Sequence, residues 1–264
     1  GIHRYAYELY HHLIKIHNIN LRKKEIGKLN IITNKLPFIN TIYFGLVYKK
    51  LKLTSDIIHN VDAGNPIPAV STSETSIIST VHDLIPLDKK IMLGASSNQS
   101  NLFYKSVINM TAYINYLVSA KALTVSINNS NHLIVNSTQT KDEITNKFNI
   151  KKNTIDIVNL GVDSRFMRSF RKKSNNNNQF IVGYIGSSSF RKNIKMLIDV
   201  ARIIKDRSVL FDIYTSIMIE SNYLKNIKLR NLRLNGFAPE NKIVDIYDSF
   251  DVFVFPSLYE GFGL

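Results

Sequence analysis

Val252-Phe253-Val254-Phe255-Pro256-Ser257-Leu258-Tyr259-Glu260-Gly261-Phe262-Gly263-Leu264 closes the chain, and its reading sets the terms for everything upstream. Val252 to Phe255 is an unbroken apolar run and reads as a buried strand. Pro256 ends it, because proline brings no N–H to a ladder. A carboxylate and two glycines follow, so the strand opens into a turn that can set backbone amides and one acid against a ligand. Open parallel sheets bind their ligands at this end of their strands. The chain stops there with no helix to follow, and it begins at Gly1 with neither an initiator Met nor a first strand. It therefore reads as an internal piece of a larger protein, expected to be inactive alone.

Upstream, strand and helix patterns alternate. Ile2, Tyr5, Leu9, Leu13 and Ile16 fall at helical spacing. Short strands are expected at 29–33, 56–59, 77–82, 124–126, 132–136 and 155–160. Helices are expected at 101–123 and 138–148, the latter with Thr138 as N-cap and Asp142 and Glu143 in an early turn. The aperiodic, polar stretch from Arg168 to Gln179 reads as a linker. Beyond it come a strand at 180–185, a loop at 186–191, a helix at 193–205, strands at 210–214 and 233–234, a helix at 239–249 opened by Pro239, and the closing strand. Such alternation predicts α/β architecture with parallel sheets and helices on both faces. The expected domains are 1–167 and 180–264, joined by the linker 168–179, with a cleft between them.

Composition removes several function classes. With 264 residues, 44% of them hydrophobic, the chain can bury about two domain cores. It has no Cys, so disulfides and thiolate metal sites are excluded. It contains no apolar run of about 18 residues. The net charge of +14 is spread evenly rather than gathered in a tail, with 16 basic and 9 acidic residues in 1–150 and 18 and 11 in 151–264. A diffuse positive surface suits nucleic acid, anionic lipid or phosphorylated substrates alike.

Three stretches carry chemistry. His82-Asp83 ends a strand, where both side chains can point into a ligand crevice or the His can be satisfied by a local hydrogen bond. Gly186-Ser187-Ser188-Ser189-Phe190-Arg191-Lys192-Asn193 leads from a strand through small residues to two cations at a helix start. Cations are disfavoured there unless an anion binds, when amides, helix dipole and side chains converge on it. The order of a Walker A loop is absent. Glu260-Gly261-Phe262-Gly263 offers an acceptor for sugar hydroxyls beside exposed amides.

Taken in order, these motifs resemble the family 4 retaining glycosyltransferases of GT-B fold, over nearly the whole chain. Gly1-Ile2-His3-Arg4-Tyr5 resembles the end of a glycine-rich loop, and Thr80 to Pro86 the family's His-Asp segment. Val135-Asn136-Ser137 with Thr140, Asp142 and Glu143, and Asn159-Leu160-Gly161-Val162-Asp163 with Phe166, are similar to two further segments. Gly186 to Asn193 resembles its phosphate loop, and Pro256 to Leu264 the start of its E-x7-E donor motif.

The resemblance implies two Rossmann-like domains and transfer of a hexose, mannose among the candidates, from a nucleotide-diphosphate sugar to a glycan, polysaccharide or lipid-linked acceptor. It implies catalytic roles for His82, Arg191, Lys192 and Glu260. Donor binding would fall to Asp83, Gly186, Ser187, Gly236, Phe237, Ala238, Gly261, Phe262, Gly263 and Leu264. No metal or cofactor is implied beyond the nucleotide sugar, which is a substrate. A cytoplasmic enzyme is expected, with peripheral contact to anionic membrane through the basic first segment (Arg4, Lys15, Arg22, Lys23, Lys24, Lys28) and no nucleic-acid partner.

The chain departs from the family pattern at several places. The second Glu of the donor motif lies beyond Leu264, His3 stands where a glycine is common, and Asp212-Ile213-Tyr214-Thr215 lacks a following glycine. Competing readings are a nucleotide-sugar epimerase of the same fold and a non-catalytic basic binding protein on this scaffold.

Overall fold

The computed structural model describes residues 2–16, 56–64, 75–94, 102–167, 179–204, 206, 208–216 and 227–263. They divide into two compact units, residues 1–160 with 260–264, and residues 161–259. The strand expected at 29–33 lies outside the described residues, as does the linker apart from Gln179.

In the first unit, α1 (Ile2–Leu13) precedes β1 (Ile57–Asn60), β2 (Ser76–Val81) and a 3-10 turn at Ile85–Leu87. Then come α2 (Lys89–Leu93), α3 (Leu102–Asn128), β3 (His132–Val135), α4 (Thr138–Phe148) and β4 (Ile155–Ile157). The strands form one parallel sheet in the order β1-β2-β3-β4. β2 is buried along most of its length, as a strand covered on both faces must be. Val81, Leu133, Val135 and Ile155 of the sheet pack with Leu123, Ile127 and Ile144 of the helices.

Two local expectations are corrected. Residues 124–126 are not a strand but the end of α3. The Thr124 hydroxyl is absorbed by the Ala120 carbonyl at 2.8 Å, so β-branching and a hydroxyl are accommodated inside the helix. The cap of α4 is Ser137 rather than Thr138: its backbone is extended and its side chain accepts the Thr140 N–H at 3.1 Å. That places Asp142 and Glu143 beyond the first turn.

The second unit contains β5 (Phe180–Ser187), α5 (Ile194–Ile203), β6 (Val209–Ser216), β7 (Leu232–Asn235), a 3-10 turn at Glu240–Lys242, α6 (Ile243–Asp248) and β8 (Val252–Phe253). Its strands are again parallel, in the order β7-β6-β5-β8. Tyr184, Ile194, Leu197, Ile198 and Ile213 form the core, with Leu232, Leu234 and Val254 packed on it. The last strand is shorter than its apolar run, although the Val254 N–H still reaches the Gly183 carbonyl at 2.9 Å. Gly183 must be glycine, because a β-carbon there would lie 2.0 Å from the Phe250 ring.

The order of this second sheet decides where a ligand can sit. From β5 the chain winds outward through β6 and β7, then returns to lay β8 against the other side of β5. The direction reverses between β5 and β8, and a crevice opens at their carboxyl ends.

Candidate active site

Both stretches that leave those two strands are ones the sequence singled out. Beyond β5, Ser187 and Ser189 bring their hydroxyl oxygens within 3.1 Å of each other. A 3-10 turn then carries Phe190, Arg191 and Lys192. Asn193 follows in the left-handed region (φ 52°, ψ 35°), and only then does α5 begin. The cations therefore precede the α-helix by one turn instead of opening it. The first turn of α5 carries no acid, and Asp199, further along, is held by Lys195 and Arg202. The positive end of the helix is thus not neutralised from within.

Beyond β8, residues 255–259 lie alongside this turn. The Leu258 N–H donates to the Arg191 carbonyl at 2.8 Å. Arg191 Nη1 donates to the Tyr259 carbonyl at 2.9 Å, and Asn193 Nδ2 to the Pro256 carbonyl at 3.2 Å. The Lys192 ammonium stands 4.4 Å from the centre of the Phe255 ring. The cation turn and the loop leading to Glu260 are therefore tied to each other at the switch point. The residue that Arg191 grips is the one bonded to Glu260.

Gly186 has a reason of its own to be glycine. The Tyr184 hydroxyl donates to the Ser187 carbonyl at 3.0 Å, and a β-carbon at 186 would sit 2.5 Å from that hydroxyl. Past β7, a β-carbon on Gly236 would meet nothing within 4 Å, Phe237 is 80% exposed and Ala238 is buried.

In the first unit the carboxyl edge of the sheet gathers a different set. His82 is the first residue past β2. Its Nε2 lies 2.9 Å from the Val61 carbonyl. A carbonyl only accepts, so Nε2 is the protonated nitrogen and Nδ1 is the acceptor in the neutral ring. Tyr5 of α1 sets its ring edge-on to His82, with centroids 5.0 Å apart. Its hydroxyl lies 3.2 Å from Thr80 Oγ1, which also meets His59 Nε2 at 2.8 Å. Burial lowers the pKa of His59 below the ordinary histidine value. Asp83 turns its carboxylate back to the Ile85 N–H at 3.0 Å, closing the loop after β2.

The glycine turn that ends the chain is seated on this edge. The Ser137 hydroxyl donates to the Gly261 carbonyl at 2.7 Å. A β-carbon on Gly261 would lie 1.9 Å from the His82 carbonyl oxygen and 2.9 Å from Asp83 Cβ. Asn136 Nδ2 donates to that same His82 carbonyl at 2.9 Å, fixing the surface on which the glycine rests. Gly263 adopts φ 90°, a conformation that favours glycine. Glu260 is half-buried and Phe262 is 37% exposed, while Leu264 lies outside the described residues.

His82, Asp83 and Gly261 are thus brought together in one unit, and Arg191 and Lys192 meet the loop 255–259 in the other. Tyr5 beside His82, Phe255 under Lys192 and the Ser137 seat have no signature in local residue pattern. Each of these joins residues from separate elements, and only the Asn136-Ser137 motif pointed to its neighbourhood.

The second unit carries the family likeness. Residues 166–264 match the family model of the glycosyl transferases group 1. The fold is that of the GT-B glycosyltransferases. The chain is 25% identical over 263 residues to a poly(ribitol-phosphate) alpha-N-acetylglucosaminyltransferase of Staphylococcus aureus (strain COL), covering 94% of this chain and 46% of that protein. The chain thus spans about half the length of this relative.

Among solved structures, a variant of S. aureus TarM in complex with fondaparinux, alpha-GlcNAc-glycerol and UDP superposes with a TM-score of 0.54 at 21% identity, over 81% of this chain and 40% of that one. Anabaena HepE in complex with UDP-glucose gives 0.52 at 13% identity, over 96% and 65%. Among the described residues, no helix of this GT-B chain is long and apolar enough to cross a membrane.

Proposed function

We propose that the chain belongs to a retaining glycosyltransferase that moves a hexose or N-acetylhexosamine from a nucleotide-diphosphate sugar to a hydroxyl of a polymeric or lipid-linked acceptor. The observation that carries this reading is the hydrogen bond from Arg191 to the Tyr259 carbonyl, which ties the cation turn to the residue before Glu260. Diphosphate is a leaving group on which negative charge grows as the anomeric bond breaks. Arg191 and Lys192 supply positive charge for it, and the uncompensated amino end of α5 adds to theirs. This accounts for diphosphate departure without assigning a metal ion to the step.

Glu260 accepts hydrogen bonds from donor-sugar hydroxyls, and the amides of Phe262, Gly263 and Leu264 donate to the sugar and phosphates. His82 contacts the sugar, with Nδ1 as its acceptor. Gly186 and Ser187 border the phosphates, and Gly236 to Ala238 the base. In the step itself, the bond from the anomeric carbon to the phosphate oxygen breaks. A bond to the acceptor oxygen forms on the same face, and the acceptor proton passes to the departing diphosphate.

The name of the S. aureus relative suggests N-acetylglucosamine as the sugar and a polyanionic poly(ribitol phosphate) as the acceptor. A net charge of +14 favours an acceptor of that kind. Peripheral contact with an anionic membrane through α1 and the turn after it, which carry the exposed Tyr7 and Ile14 together with Arg4 and Lys15, fits a lipid-linked acceptor. Flotation with anionic vesicles tests that contact, and flotation independent of anionic lipid removes it.

The main test is binding and turnover by the full-length protein with UDP-N-acetylglucosamine, UDP-glucose and GDP-mannose, read as nucleoside diphosphate released, with and without a chelator. One donor should work, chelator should not abolish turnover, and Arg191→Ala or Lys192→Ala should weaken donor binding by roughly ten- to a hundredfold while leaving the fold intact. A folded protein that binds none of the three, or variants that bind as well as the parent, would overturn the reading.

A further inference from the structure

We propose that Phe255 is a positioning residue whose ring holds the Lys192 ammonium over the switch-point crevice, ready for a pyrophosphate group. The proposal rests on the glycosyltransferase reading for the identity of the anion, and on geometry alone for the pair itself.

Lysine carries its charge on a flexible four-carbon stem and loses rotamer freedom whenever it must meet an anion. Here the ammonium lies 4.4 Å from the Phe255 ring centre, within the range of a cation–π contact. A benzene face attracts the charge without a lone pair or proton of its own. It can therefore fix the position of the ammonium without itself taking up one of its N–H groups as a lone-pair acceptor would.

The ring is itself held. Phe255 lies 6.0 Å from Phe253, whose ring is stacked on Phe250 at 6.4 Å and meets Tyr247 edge-on at 5.1 Å. Phe250 in turn rests against Gly183, where any side chain would collide with it. The main chain around the pair is also pinned, by Leu258 to the Arg191 carbonyl and by Asn193 to the Pro256 carbonyl. A row of aromatic rings anchored on β5 thus ends under one of the two cations of the turn. Arg191 needs no such platform, because a carbonyl already orients its planar guanidinium.

The consequence is measurable. Replacing the ring by an aliphatic side chain of similar bulk removes the π face that holds the ammonium. Phe255→Leu should weaken binding of inorganic pyrophosphate and of UDP by roughly two- to tenfold, the cost of immobilising one long side chain. Phe255→Tyr keeps the π face and should bind as the parent does. In a Lys192→Ala background, Phe255→Leu should change nothing further.

An independent readout is the nuclear magnetic resonance signal of the Lys192 ε-methylene in lysine-labelled protein, assigned by its loss in Lys192→Arg. Ring current should shift it upfield in the parent and in Phe255→Tyr but not in Phe255→Leu. An unshifted signal in the parent would overturn the proposal whatever the activity. So would equal pyrophosphate affinity in Phe255→Leu, or a loss that persists in the Lys192→Ala background. A shifted signal in a protein that binds neither pyrophosphate nor UDP would end the transferase reading and the anion role together.

Discussion

At the carboxyl edge of the first sheet, the groups that matter are set by main chain. The Gly261 turn rests on the His82 carbonyl, which Asn136 fixes, and the cap of α4 reaches out to the Gly261 carbonyl. At the carboxyl edge of the second sheet, Leu258 and Asn193 also join the two segments, but charged side chains reach across as well, Arg191 to a carbonyl and Lys192 over a ring. Backbone contacts tolerate no added atom, whereas long cations adapt. The first edge should therefore respond to steric change, and the second to loss of charge with little effect on stability.

The sharpest way to break this contrast is Gly261→Ala. The new methyl would lie 1.9 Å from a carbonyl oxygen, so the turn must leave its seat. We expect a loss of about 2–3 kcal/mol in urea unfolding of the first unit, or release of the turn seen as protease sensitivity near residue 261. Retention of both parent stability and protection would show that the seat is not formed in solution.

A smaller effect is expected from Ser137→Ala. It removes one hydroxyl that serves both the Thr140 N–H and the Gly261 carbonyl, and should cost about 1–2 kcal/mol, measured the same way. Ser137→Thr should recover most of it. If Ser137→Ala costs no more than an ordinary helix cap in a variant already carrying Gly261→Ala, the extra part belongs to the seat.

Acid should act on the first unit through His59. Burial lowers its folded pKa below the unfolded value near 6.5, so between the two the unfolded chain binds the extra proton. Stability is then complete above about pH 6.5 and declines as pH falls from there toward the folded pKa. Thermal melts should show this decline, and His59→Asn should flatten it. A slope unchanged in that variant would assign the effect to another group.

The smallest change is expected at Gly236→Ala, where the new methyl meets nothing within 4 Å. A shift within about 0.5 kcal/mol would confirm that the demand for glycine is local to Gly261 and not a property of glycines near strand ends.

How much of this was legible beforehand differs between elements. β2, β3 and β5 are short runs rich in β-branched and aromatic residues, and their length and composition reveal them. The end of α3 misled the reading because Leu-Thr-Val-Ser has strand-like composition. Its helical state comes from packing Leu123 and Ile127 into the core, which local propensity does not contain. The α4 cap was misplaced by one residue because both Ser137 and Thr138 are suitable types, and only the extended backbone at Ser137 selects between them. Gly186 has a second, steric reason to be glycine that its motif does not show, since the hydroxyl it must avoid belongs to a tyrosine two residues back on the same strand.

The chain's order of residues alone established alternating strands and helices, the exclusion of thiol chemistry, and the motifs His82-Asp83, Arg191-Lys192 and Glu260 to Gly263, because these depend on residue type and spacing. The folded arrangement alone established that β8 returns to the side of β5, and so set Phe255 under Lys192 and Tyr259 against Arg191. It likewise put Gly261 on the His82 carbonyl. The reason is physical: strand order and backbone contact are settled by which buried surfaces fit across some tens to more than a hundred residues, and no local pattern carries that information.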